Sequence, residues 1–172
     1  GTGLGKRIAF MYALRYISGY RSVIVGAYLL GFLLSFLIPH PWPRCFMIIS
    51  VLAMVTSSAN MPKEDMANIG LAVFASSAAT SGILLTGDSA LNIAAVGMGG
   101  VDLGWLGWIK WMGVPGVIAS VLMMLLQFMV YKPKAKFVLN KDVLRKELAD
   151  MGSLSGQEIR CLIWIILAVI AW

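Results

Sequence analysis

The chain alternates long apolar runs with short polar breaks. Nearly uncharged stretches cover Ser22–Trp42, Cys45–Met61, Met66–Gly87, Ser89–Val101, Trp111–Tyr131 and Cys161–Trp172. A helix needs about 20 apolar residues to cross a bilayer. The runs 66–87 and 111–131 meet that alone, 89–101 is too short, and the last run stops before spanning length. Over 1–21, Lys6, Arg7, Arg15 and Arg21 stand among apolar and aromatic residues. They cover a broad arc of a helical wheel. This predicts a helix lying in the membrane interface, or else a poor end of a spanning helix.

The polar stretch 132–160 contains seven of the fourteen basic residues: Lys132, Lys134, Lys136, Lys141, Arg145, Lys146 and Arg160. The positive-inside rule makes it a cytoplasmic linker. Within it Asn140 can cap a short helix whose Val143, Leu144, Leu148 and Met151 share a face, and Gly152 stops that helix. Ser155-Gly156-Gln157-Glu158 has the spacing of a capping box opening the next membrane helix.

Composition changes the class of protein. Apolar residues make up 59% and charged residues 13%, against about 45–50% and about 25% in soluble domains. The chain therefore reads as an all-α integral membrane protein. Its net charge of +6 does not point to nucleic acid, because the basic residues sit between apolar runs, where they set topology. Cys45 and Cys161 are not spaced as a disulfide or metal pair. The chain starts with GTGLGKR and ends inside an apolar run, so it is expected to be a piece of a longer protein.

Charge also orders the crossings. The 97–108 loop carries one acid and no base, which suits the outside, and Pro62-Lys63-Glu64-Asp65 then falls in the cytoplasm. Arg21 and Lys63 thus place both feet of segment 22–62 on the cytoplasmic side. Its apex is Ile38-Pro39-His40-Pro41-Trp42-Pro43-Arg44, with three alternating prolines and the only histidine. At 1.5 Å per residue the arms 22–38 and 44–61 are each roughly 26 Å long, just short of the ~30 Å hydrocarbon core. Two readings stand: two short spanning helices with an outer turn, or a re-entrant hairpin with a buried tip.

A second break, Thr86-Gly87-Asp88-Ser89, interrupts 66–98. That stretch is too long for one helix and too short for two with a solvated loop. Glycine, aspartate and serine disfavour helix interiors, and Asp or Ser caps well. A helix broken at membrane depth offers a half-helix N-terminus, expected at Ala90, and free carbonyls for a cation. Asp88, ionisable within an apolar stretch, is then a candidate functional group. The alternative puts Asp88 at the outer surface and makes 89–101 a surface helix. The small residues from Ala75 to Gly82 favour close helix packing.

"GTGLGKRIAF", the hairpin with its unusual tip, "SGILLTGDSALNIAAVGM" and "KELADMGSLSGQEIR…IWIILAVIAW" follow one another in the order of the divalent anion:sodium (sodium:sulfate/dicarboxylate) symporters. The chain resembles a divergent middle portion of that family over nearly all its length. The resemblance implies an inverted-repeat secondary transporter. Residues 1–131 would belong to the first repeat: interfacial helix 1–21, re-entrant hairpin 22–62, broken helix 66–98 and transmembrane helix 108–131. Residues 132–160 would be the linker, and 161–172 would start the second repeat. It also implies a multi-pass protein of the plasma or inner membrane that works as a homodimer. Its partners would be a small anion, Na⁺ and the bilayer, with no cofactor beyond the coupling ion.

By position, the family's Ser-Asn-Thr tip falls on Pro39, His40 and Pro41, and its loop on Thr86, Gly87, Asp88, Ser89, Ala90 and Leu91. Thr86 and Gly87 match. Asp88 replaces a threonine, and Asn92 is displaced by one. The implied substrate and ion contacts are thus Pro39, His40, Pro41, Arg44, Thr86, Gly87, Asp88, Ser89 and Asn92, with Thr86, Gly87 and Asp88 as Na⁺ candidates. His40 and Arg44 could donate to an anion, and Asp88 could bind a cation or a proton. The leading expectation is secondary active transport of a small carboxylate or inorganic anion, sodium-coupled, by alternating access. Proton-coupled exchange on the same fold and a non-transporting membrane subunit are the alternatives. An enzyme is not expected, because no nucleophile–base or metal-spaced cluster occurs.

Overall fold

The computed structural model describes residues 3–58, 61–133 and 141–170. Every regular element among them is helical. The chain forms α1 (Leu4–Tyr16), α2 (Tyr20–Ser35), α3 (Pro41–Ser58), α4 (Lys63–Ala79), α5 (Ser89–Met98), α6 (Trp105–Val130), α7 (Lys141–Asp150) and α8 (Gly156–Ile170). Among the described residues, α6 alone is long and apolar enough to cross a membrane, while α2 and part of α3 are shorter apolar helices.

The expected single helix over 1–21 is two elements. It stops at Tyr16, and α2 starts at Tyr20 because Ser22 closes the turn. Ser22 Oγ accepts from Gly19 N at 2.8 Å and Ser18 N at 2.9 Å, and donates to Gly19 O at 2.7 Å. One face of α1 packs on the protein. Its Phe10, Ala13 and the following Ile17 are fully buried against α2 and α3.

The arms α2 and α3 make a hairpin around the tip 36–40, and α4 packs on both. Fully buried Val23, Ile24, Leu30, Leu34, Ile48 and Leu52 fill the interior. Gly31 lets α2 reach α4, since a Cβ there would lie 3.1 Å from Thr80 Oγ1 and 3.4 Å from Ser76 O. The small residues before the break therefore serve packing. On the other flank Gly116 brings α6 onto the backbone of Ile83, where a methyl added to the glycine would lie 3.1 Å from the Ile83 Cα. Expected over 108–131, this helix starts at Trp105 and carries a π turn at Ile109–Gly113. Pro115 accounts for the turn, because it has no N–H for the preceding turn and its ring crowds the carbonyl there.

Broken helix 66–98 also differs in detail. The α-helix ends at Ala79, a 3₁₀ turn spans Thr80–Gly82, a second spans Leu85–Asp88, and α5 resumes at Ser89. The interruption is thus nine residues long, reaching well before Thr86. Hydroxyls start it. Ser76, Thr80 and Ser81 donate back to Val73 O (2.9 Å), Ser76 O (2.7 Å) and Ala78 O (2.6 Å). Such back-bonding bends and weakens helices.

In the linker, Asn140 and residues 134–139 lie outside the described residues, as do 59–60 at the hairpin's end. Leu144 of α7 is fully buried, with Leu148 and Met151 half-buried on the core. Val143, expected on that face, is 41% exposed. Gly152 ends the helix with φ +62°. The capping box forms: Glu158 N donates to Ser155 Oγ at 3.1 Å, and Ser155 N to Glu158 Oε2 at 2.8 Å.

One ion pair was not legible beforehand. Arg7 Nε donates to Glu158 Oε1 at 3.0 Å, and Nη2 to Glu158 Oε2 at 3.3 Å. The guanidinium also takes the last carbonyls around α7: Gly152 at 2.9 Å, Met151 at 3.1 Å and Ser153 at 3.3 Å. One arginine thus caps the end of α7 and ties it to the start of α8. The Arg7 hydrogen bond, helped by the Ser155 backbone N–H, holds the Glu158 carboxyl below its ordinary pKa.

Candidate functional site

The hairpin tip begins where α2 unwinds after Ser35. Pro41 is the first residue of α3, where a missing N–H has no intrahelical partner to lose. His40 precedes it as the cap, its Nδ1 accepting from Trp42 N at 3.3 Å. That bond leaves the proton of a neutral ring on Nε2. Trp42, 55% exposed, stacks edge-on against Phe74 at 6.0 Å and lies 6.5 Å from Phe46.

The tip docks on the break. Pro39 O accepts from both Ser89 N (3.2 Å) and Ser89 Oγ (3.1 Å). Arg44, one turn into α3, is fully buried. Its Nη2 donates to Ser77 O at 2.8 Å, and its Nη1 to Gly87 O at 3.1 Å and Ile38 O at 3.5 Å. One side chain therefore joins the hairpin tip, the end of α4 and the second 3₁₀ turn. Its Nε has no acceptor among the described residues.

Asp88 is 5% exposed and caps α5, its Oδ1 accepting from Leu91 N at 3.3 Å. The half-helix therefore starts one residue before Ala90. Gly87 lies against the Ser81 backbone so closely that a methyl there would overlap the Ser81 carbonyl oxygen. Asn92, 9% exposed, reaches back from α5 into the break. Its Nδ2 donates to Ser81 O (2.9 Å), Leu84 O (3.0 Å) and Leu85 O (3.3 Å). Only the amide nitrogen can face three carbonyls, so the chemistry sets its orientation.

Thr86 looks the other way, its Oγ1 accepting from Trp105 Nε1 at 3.3 Å. Trp108 Nε1 donates to Gly82 O at 3.1 Å. Both tryptophans open α6 and strap the break from outside. The sequence placed them in the outer loop, and the available signal was that an indole N–H needs an acceptor when buried.

The structure thus brings Pro39, Arg44, Gly87, Asp88 and Ser89 into contact or close approach. It sets His40 and Pro41 at the start of α3, Asn92 across the break and Thr86 on its far side. Four of the carbonyls that the break releases already accept a side-chain hydrogen bond. Those of Ser81, Leu84 and Leu85 receive Asn92, and that of Gly87 receives Arg44. Irregular backbone still needs hydrogen-bond partners when it is buried, and here the side chains of Asn92, Arg44 and Trp108 supply them.

Residues 1–172 match the family model described as the sodium:sulfate symporter transmembrane region. No curated protein matches the chain.

Proposed function

The chain belongs to the family of the sodium:sulfate symporter transmembrane region, and from that premise we propose that it is the part of a secondary active transporter that moves a small dianion, sulfate or a dicarboxylate, with sodium as the coupling ion. The observation that carries this reading is the docking of one unwound segment on another. Ser89 N and Oγ hold Pro39 O, and Arg44 holds Gly87 O. Unwound helical segments brought together near mid-membrane are what transporters use to surround a substrate, with the other repeat supplying the facing side.

On this reading α2 and α3 are a re-entrant hairpin, α4 to α5 is the discontinuous helix, and both move together during alternating access. A second repeat completes the site. The protein works as a homodimer in the cell membrane, with 132–160 on the cytoplasmic face. His40 presents Nε2–H at the tip, where an anion oxygen would accept it.

The test is uptake of labelled sulfate and labelled succinate by the full-length protein in proteoliposomes. Accumulation under an inward sodium gradient, lost in His40→Ala and Asp88→Asn proteins that reconstitute normally, is the expected result. Uptake of both anions no greater than in empty liposomes, under sodium gradient, proton gradient or counter-loaded anion, would overturn it.

A further inference from the structure

We infer that this half of the site carries its positive charge in the chain itself: the Arg44 guanidinium occupies the place of a coupling cation, and no sodium ion binds between the hairpin tip and the helix break. The inference rests on the transport reading above and narrows where its coupling ion can sit.

A sodium site in a discontinuous helix is made from the carbonyls that unwinding releases. Seven carbonyls at this junction already accept from a side chain, those of Ile38 and Pro39 on the tip, Ser77 at the end of α4, and Ser81, Leu84, Leu85 and Gly87 in the break. Arg44 takes Ile38, Ser77 and Gly87. Asn92 takes Ser81, Leu84 and Leu85. Ser89 takes Pro39. Three main-chain oxygens from three separate segments converging on one cationic group is the arrangement a bound metal ion would produce.

The charge is permanent, because a guanidinium does not deprotonate in proteins. It is fully buried, so water screens it poorly. A sodium ion sharing the Ser77 and Gly87 oxygens would sit within a few ångströms of it, and like charges at that separation repel strongly in a medium of low polarity. Asp88, whose Oδ1 caps α5, follows directly on the Gly87 carbonyl that Arg44 holds. The junction thus has its ligands and its cation in one chain.

The experiment reads ion binding rather than transport. The purified full-length protein is melted in sodium chloride and in choline chloride at equal ionic strength, as wild type, Arg44→Ala and Asp88→Asn. Arg44→Ala is expected to gain a sodium-specific stabilisation larger than that of wild type, because the vacated carbonyls and Asp88 then accept the ion. Low-millimolar guanidinium should stabilise the same variant and not wild type. Asp88→Asn should leave the half-saturating sodium concentration of the protein within about twofold, whereas loss of a carboxylate from a true sodium site raises it about tenfold or more.

A sodium response of Arg44→Ala equal to that of wild type, or a tenfold loss in Asp88→Asn, would overturn the inference. If Arg44→Ala folds in neither salt, the Asp88→Asn titration decides alone. Because no flux is measured, a protein that moves none of the tested anions would refute the transport reading and leave this result standing.

Discussion

Adding one methyl at Gly87 tests whether the helix break has to be this tightly closed. In Gly87→Ala the new carbon would overlap the Ser81 carbonyl oxygen and lie 2.9 Å from the Ser81 carbonyl carbon and 3.0 Å from its Cα. Unstrained carbon contacts begin near 3.5 Å, so the second 3₁₀ turn has to shift by roughly 0.5–1 Å. Overpacking of this kind costs about 1–3 kcal/mol. The same shift displaces Gly87 O, now 3.1 Å from Arg44 Nη1, and losing a hydrogen bond to a charged group costs about 1.5–3 kcal/mol. The sum, about 2.5–6 kcal/mol, corresponds to a loss of roughly seventyfold or more in the docked arrangement. Gly82→Ala is the matched control, in the same break, because nothing lies within 4 Å of its new methyl. It should be neutral or stabilising by up to about 1 kcal/mol. The measurements are the melting temperature of the full-length protein in detergent and its rate of anion uptake. If Gly87→Ala melts and transports like Gly82→Ala, the close approach of the two backbones has no role, and the reasoning fails.

Asn92→Leu removes the donor shared by three break carbonyls, and at about 1–3 kcal/mol for each group left unsatisfied it should lower the melting temperature and speed proteolysis at 80–88. A variant as stable as wild type would contradict the strap. His40→Ala should cost about 1 kcal/mol as a lost helix cap and His40→Asn much less, read from the same melts. At the linker, Glu158 has a lowered pKa in the folded protein. Its contribution is therefore complete above the ordinary glutamate range near pH 4.5 and is lost as pH falls through the folded value. Limited proteolysis of the 132–160 linker should accelerate over that acid range in wild type, and Glu158→Gln should be cut fast at every pH. A glutamine variant that keeps the acid transition would assign it to another carboxyl.

Much of the local structure was readable because its causes are local. Proline at alternate positions of the tip, glycine after α7 and the Ser155–Glu158 spacing act within one turn of backbone, and each produced the predicted start or stop. The break was foreseen from Thr86-Gly87-Asp88-Ser89, but its true onset at Thr80 was not. Serine and threonine hydroxyls end a helix only when packing, here Gly31 against Ser76 and Thr80, makes the bent path the favourable one. Likewise Asn92 was expected only as a substrate or ion contact, and nothing local announced that its amide nitrogen would satisfy carbonyls of its own break.

Residue types and their order were enough to set the class of protein and the two places where helix gives way to irregular backbone. Composition and local propensity do not depend on what packs nearby. Which polar groups answer one another came from the packing: Arg7 with Glu158, 151 positions apart, and Arg44 with the carbonyls of Ser77 and Gly87. A buried charge or an unwound carbonyl demands a partner, and that demand is visible in the sequence. The partner's identity follows from how the helices are stacked, and that stacking set the Arg44 guanidinium on the carbonyls of Ser77 and Gly87.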